Sequence, residues 1–216
     1  MWGGFAACSE PGICRAVMRL AIDPEHPQPR TIRRAVDALR SGGVIAYPTD
    51  STYAIGADLN DKKAIESLYR IKNMPKDHPL TLLCPDLGNI ATYALVDNPS
   101  YRLIRRLIPG PYCFILPATR EVPKLLMRKR KHVGIRVPAH PVTHALLTEL
   151  GNPIVSTTAA CDGETLKDPA EIDAKLRGLA LVLDADLGAE LPSTVVDLTS
   201  AEPQIVRYGV GEVARV

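Results

Sequence analysis

No run of apolar residues approaches the roughly 20 that a membrane-spanning helix requires, so the chain reads as soluble. Five cysteines, Cys8, Cys14, Cys84, Cys113 and Cys161, are scattered without CxxC spacing. That argues against a zinc site or a disulfide framework and fits a reducing, cytoplasmic setting. Charge of one sign is not in excess either. The 26 Lys plus Arg stand against 24 Asp plus Glu, and a net charge of +2 gives no whole-protein field that would demand nucleic acid. Any anion site must therefore be local. Neither a GxxxxGK[ST] phosphate loop nor a GxGxxG turn occurs, which disfavours the usual nucleotide folds. His26, His78, His132, His140 and His144 lack the spacing of a metal cluster. No Ser–His–Asp or Cys–His arrangement can be assembled, and Cys84 and Cys113, set in apolar stretches, read as small core residues.

What the chain does have is enough length for one core: 216 residues, 46% hydrophobic and 23% charged, predict a single globular domain. Residues 1–17 carry small residues and no helical period ahead of Met18, and they read as a tail preceding a domain over residues 18–216. The most informative stretch is GVIAYPTDSTYAIG, from Gly43 to Gly56. Val44 to Tyr47 form an apolar run suited to a buried strand, which Pro48 stops because it has no N–H to donate. Thr49, Ser51, Thr52 and Tyr53, with Asp50 among them, then present hydroxyls and one charge where strand passes into loop.

Helical and extended patterns alternate beyond this point. Helices are expected around Ile32–Leu39, from Asp61 to Lys72 behind an Asn60 or Asp61 cap, from Pro99 to Ile108 with Asn98 as cap, from Pro141 to Leu150, and from Asp168-Pro169 through Leu176. Strands are expected at Leu80–Cys84, Tyr112–Leu116, Val133–Val137, Ile154–Thr157, Leu181–Leu183, Thr194–Leu198 and Ile205–Arg207. The alternation predicts a layered α/β or α+β fold around one central sheet. Hydroxyls and cations recur at the predicted strands and their ends: Thr49 and Ser51, Arg136, Ser156 to Thr158, Ser193 and Thr194, and Arg207. Sheet proteins bind ligands beyond strand ends, and this residue mix suits phosphate or carboxylate. Arg128-Lys129-Arg130-Lys131 is the one dense basic run, either a solvated helix end or a nucleic-acid contact.

The motifs GGVIAYPTDSTYAIG, LYRIKNMPKDHPLTLLC, PGPYCFILPAT, VGIRVPAHP, PIVSTTAA, PSTVVDLT and VRYGVG, in this order, resemble the YrdC-like family, which includes threonylcarbamoyl-AMP synthases, and its YciO branch most closely. The resemblance spans Ala21 to the C-terminus. It implies a YrdC-like single domain with a twisted, mixed β-sheet flanked by helices and a positively charged concave face. It also implies a nucleotidyltransferase-type reaction in which ATP, L-threonine and bicarbonate give threonylcarbamoyl-AMP and pyrophosphate, toward the t6A modification of tRNA, with Mg2+ on the phosphates. Mapped onto this chain, Thr49, Ser51 and Arg136 match the threonine side, and Lys72, Ser156, Thr158, Ser193 and Arg207 the nucleotide side. Lys72 and Arg136 take the catalytic part. An older suggestion for the family is binding to double-stranded RNA.

The family's KxR and SxN signatures are half present. Lys72-Asn73-Met74 puts methionine in place of arginine, and Thr158-Ala159-Ala160 puts alanine in place of asparagine. Arg70 and Lys76 are the nearest cations that could compensate. These departures imply synthase activity that is weak or altered, or a nucleotide or RNA binding protein without turnover.

Overall fold

The sequence patterns resolve into twelve strands and six α-helices in a computed structural model that describes residues 17–127, 131–200, 202–212 and 214. The strands are β1 (Met18–Ala21), β2 (Ile45–Tyr47), β3 (Ala54–Asp58), β4 (Thr81–Leu83), β5 (Tyr112–Pro117), β6 (His132–Arg136), β7 (Ile154–Thr158), β8 (Ala160–Cys161), β9 (Glu164–Thr165), β10 (Leu181–Asp184), β11 (Thr194–Asp197) and β12 (Gln204–Arg207). The helices are α1 (Pro29–Arg40), α2 (Lys62–Ile71), α3 (Leu87–Tyr93), α4 (Asn98–Leu107), α5 (Pro141–Leu150) and α6 (Pro169–Lys175). Ten strands form one mixed sheet in the order β1-β10-β2-β3-β7-β4-β6-β5-β11-β12, and β8 and β9 make a small hairpin beside it. The expected tail, but for Val17, and most of the basic run, residues 128–130, lie outside the described residues.

Alternation along the strands divides the core into two layers. Ile55, Ala57, Leu82, Phe114, Leu116, Val133, Ile135 and Val196 face one way, into a layer with Ile65 and Leu68 of α2, Ile90 of α3, Leu103 and Ile104 of α4 and Ile172 of α6. Ile45, Tyr47, Leu83, Ile154, Leu181 and Leu183 face the other, into a layer with Ile32, Val36 and Leu39 of α1 and Val142, Leu146 and Leu147 of α5. On this second face the apolar layer stops at β4. Beyond it the cavity-lining residues of β6, β5, β11 and β12 take over, and that difference positions the site.

Caps set the helix boundaries. Asp61 starts α2 as its side chain accepts from Lys63 N at 2.8 Å and Ala64 N at 3.0 Å. In α4 the cap is Asp97, not Asn98: its carboxylate accepts from Ser100 N at 2.9 Å, which makes Asn98 the first helical residue. Five strands and helices go beyond the sequence expectation, the β8–β9 hairpin among them. β1 pairs in parallel with β10, α3 follows β4 closely, and β3 occupies the second half of what reads as a loop. Every residue of β3 is buried, held antiparallel between β2 and β7. Ala-Ile-Gly-Ala-Asp has weak strand propensity, and tertiary pairing overrides it.

Candidate functional site

The uncovered part of the second sheet face forms the floor of a cavity of about 630 Å3. The pairing registers lay its residues out in rows. Arg207 of β12 lies opposite Val195 of β11, and Val195 opposite Cys113 of β5. The Phe114–Ile135 pair sets Cys113 beside Arg136 one step on, and Arg136 pairs with Leu83 of β4. The next row runs from Asp197 through Ile115, Gly134 and Thr81 to Ser156. With strands about 4.8 Å apart, the Arg136 and Arg207 backbones are roughly 14 Å apart, an apolar strip between two guanidiniums. Thr49, Ser51, Thr158, Ser193, Asp77, His78, Leu126, Met127 and His132 complete much of the wall.

At one side Arg136 is only 7% exposed. Its Nη2 donates to Asp50 in an ion pair, to Ser51 Oγ at 3.0 Å and to Thr49 Oγ1 at 3.5 Å. Nε is buried with no hydrogen-bond partner. The loop after Pro48 is held so that these hydroxyls stay in place: Thr49 Oγ1 donates to Thr52 O at 2.6 Å, and Thr143 Oγ1 of α5 donates to Pro48 O at 2.6 Å. A largely desolvated guanidinium beside two hydroxyls, on the lining of a cavity, is a donor set that a planar carboxylate matches.

At the other side Arg207 donates through Nε and Nη2 to Ser193 O at 3.1 and 2.9 Å, and through Nη2 to Ser193 Oγ at 3.2 Å. Burial lowers the pKa of this guanidinium from its ordinary value, the nearby Arg136 adding to the effect and Cys113 opposing it. Burial pushes the Cys113 thiol between the two arginines up, against the opposing pull of Thr81, Arg136 and Arg207. Ser156 Oγ accepts from the buried Tyr47 hydroxyl at 2.7 Å. Asp197 accepts from Thr199 N and Oγ1 at 2.8 and 2.7 Å. Cations and carboxylates therefore both line the cavity. Among the described residues no group of three or more His, Cys, Asp or Glu could hold a metal ion, and no helix is long and apolar enough to cross a membrane.

Of the residues singled out from sequence, Thr49, Ser51, Arg136, Ser156, Thr158, Ser193 and Arg207 come together in this one cavity. Lys72 does not line it. It caps the C-terminus of α2, half-buried, and its Nζ donates to Ala160 O at 2.6 Å, two residues on from Thr158. Burial lowers its pKa. Met74 packs against the core layer under α2 rather than facing the cavity. Arg70 donates to Ser67 Oγ at 2.7 Å on the exposed side of α2. Of the residues that sequence reasoning missed, Leu83, Cys113, Ile115, Gly134, Val195 and Asp197 are floor positions, and Asp77, His78, Leu126, Met127 and His132 belong to the wall. Alternation within each predicted strand marks them as sharing a face, but only the strand order shows that the faces adjoin.

A cavity on the uncovered half of a mixed sheet, with a buried arginine at one side, a second arginine at the other and hydroxyls beside both, is the arrangement the chain's relatives can be compared with. The Sua5/YciO/YrdC family model, described as telomere recombination, matches residues 37–209, and the chain belongs to this family. It is 46% identical over 196 residues to Escherichia coli YciO, covering 89% of this chain and 95% of that protein. It is 36% identical over 180 residues to a threonylcarbamoyl-AMP synthase of Chromobacterium violaceum, covering 82% and 93%. The crystal structure of E. coli YciO superimposes with a TM-score of 0.88 at 44% identity, over 92% of this chain and 98% of that one. P. abyssi Sua5 complexed with L-threonine gives 0.84 at 25% identity, over 89% and 58%. The mixed sheet with flanking helices is the fold of this family.

Proposed function

We propose that the protein is a threonylcarbamoyl-AMP synthase-like ligase of weak or altered activity, joining L-threonine, bicarbonate and ATP into threonylcarbamoyl-AMP, pyrophosphate and water. The observation that carries this reading is the Arg136 site: a buried guanidinium flanked by Thr49 and Ser51, with an unpartnered Nε. The chain's overall likeness to a Sua5 protein complexed with L-threonine supports threonine as the carboxylate ligand. Arg207, Ser193, Ser156 and Thr158 occupy the same cavity and supply a cation and hydroxyls for a nucleotide. The carbamate formed from the threonine amine and bicarbonate attacks the α-phosphorus and expels pyrophosphate. This step requires alignment and cations, not a protein nucleophile. Magnesium enters on the ATP phosphates as part of the substrate, held largely by substrate and water.

The test is pyrophosphate release by the purified protein with and without threonine and bicarbonate, beside the Met74→Arg, Ala160→Asn double variant. Threonine-dependent release in the native chain is the expected result, raised about tenfold in the double variant provided the new arginine leaves the core contact that Met74 makes and turns its charged end out toward the phosphates, one charge-assisted hydrogen bond being worth about 1.5–3 kcal/mol. A second reading rests on Met74 turning into the core and on alanine at position 160. It is nucleotide or double-stranded RNA binding without turnover, and silence in both proteins would favour it. The tRNA t6A pathway is the process the first reading would serve.

A further inference from the structure

Asp50 carries no role in the reading above, yet the chemistry of Arg136 depends on it. The two side chains form an ion pair in which they are 9% and 10% exposed, Arg136 first. Asp50 Oδ1 takes Nη2, and Oδ2 accepts from Ala139 N at 2.9 Å. One carboxylate thereby ties the loop between β2 and β3 to the segment that follows β6. Thr49, Ser51 and Arg136 line the cavity, whereas Asp50 does not. Among the described residues the hydrogen bonds of the guanidinium leave from Nη2, and its buried Nε has no partner.

We propose that Asp50 is a positioning residue for the substrate carboxylate: it neutralises and rotationally fixes Arg136, so that the donors not spent on protein are aimed at the ligand. The proposal rests on the threonine reading of the Arg136 site. A lone buried guanidinium is free to turn about its last torsions. One pinned at Nη2 by a carboxylate that is itself pinned by a backbone N–H is not, and less ordering remains for the ligand to bring about. Ser51 and Thr49 at the same nitrogen complete the fixation.

A binding cycle tests this. Threonine affinity is measured by calorimetry on the native chain and on Asp50→Asn, Asp50→Glu, Arg136→Gln and Asp50→Asn with Arg136→Gln, with thermal melting of each. Asp50→Asn is expected to weaken threonine about tenfold. Asp50→Glu, which keeps the charge and moves it by one methylene, weakens it severalfold with the melting temperature held, so a poorly folding Asp50→Asn does not remove the test. In the Arg136→Gln background the Asp50→Asn change makes no further difference, because Asp50 acts only through Arg136. Where turnover is measured, the threonine KM rises while kcat and the ATP KM hold. Three results would overturn the proposal: threonine bound as tightly or more tightly by Asp50→Asn and Asp50→Glu, an equal further loss from Asp50→Asn in the Arg136→Gln background, or no threonine binding by the native chain. Native threonine binding without pyrophosphate release would instead defeat the synthase reading and leave Asp50 its role.

Discussion

Lys72 and Met74 sit three and one residues ahead of Pro75, and the local chain geometry separates their fates. Asn73 between them has a positive φ of 48°, and the backbone N–H groups of Lys72, Asn73 and Met74 bond back to Leu68, Arg70 and Tyr69. That closing turn leaves Lys72 reaching across to the Ala160 carbonyl and Met74 packed inward. Lys72 therefore ties the end of α2 to the chain just past β7, where Thr158 meets the cavity. Lys72→Ala should cost about 1–2 kcal/mol of unfolding free energy, the lower part of the range for a hydrogen bond to a charged group because this one is half exposed. It should also raise the ATP KM, whereas Arg136→Ala should act on threonine. Urea denaturation and steady-state kinetics on the two variants check both. The site was legible in the chain at this scale because hydroxyls and arginines at strand ends have few structural reasons to gather. The direction of Lys72 was not, since it depends on a carbonyl 88 positions away.

Among the elements, α5 carries a pH response in its first turn. His140 is its N-cap, with Nδ1 accepting from Val142 N at 3.2 Å, which requires a neutral imidazole. Burial lowers its pKa from the ordinary 6.5, and Arg136 adds to this, while Asp50 and Glu25 oppose it. The unfolded chain thus takes up the proton first as the pH falls. The cap's contribution is complete above about pH 6.5 and is lost as the pH drops through that value toward the folded-state pKa. Between pH 7.5 and 5 the native chain should lose about 1 kcal/mol more stability than His140→Asn, a cap that does not titrate; chemical denaturation at the two pH values measures it. Helices with clear stripes and caps, such as α1 and α2, could be read from the sequence. α3 and β3 could not: α3 buries only Ile90, and β3 is a strand by virtue of its two neighbours.

For the molecule as a whole, the sheet separates a fully covered face from one that is partly open. One face is covered by α2, α3, α4 and α6, and the other is covered by α1 and α5 only as far as β4. Gly134 sits mid-floor, where an added Cβ would meet Cys113 Sγ and Thr81 Oγ1 at 3.4 Å and Leu80 O at 3.7 Å. These are tight to ordinary contacts, so a side chain there is accepted and projects into the cavity. Gly134→Val should leave the melting temperature within about 4 °C, roughly 1 kcal/mol for a domain of this size, and abolish threonine and nucleotide binding. Thermal melting with calorimetry separates the two effects. The layered fold class was readable from alternating periods, but the strand order was not, because it joins segments far apart in the chain.

The same order has a consequence during synthesis. The cavity's residues run from Thr49 to Arg207, and its last wall, β12, is also the edge strand that closes the sheet. At about 5–20 residues per second, roughly eight to thirty seconds pass between the appearance of the first and last of them. Arg136 and the Thr49–Ser51 loop it bonds are synthesised at least 71 residues ahead of Arg207, so on the proposed reading the carboxylate side of the cavity is made before the nucleotide side.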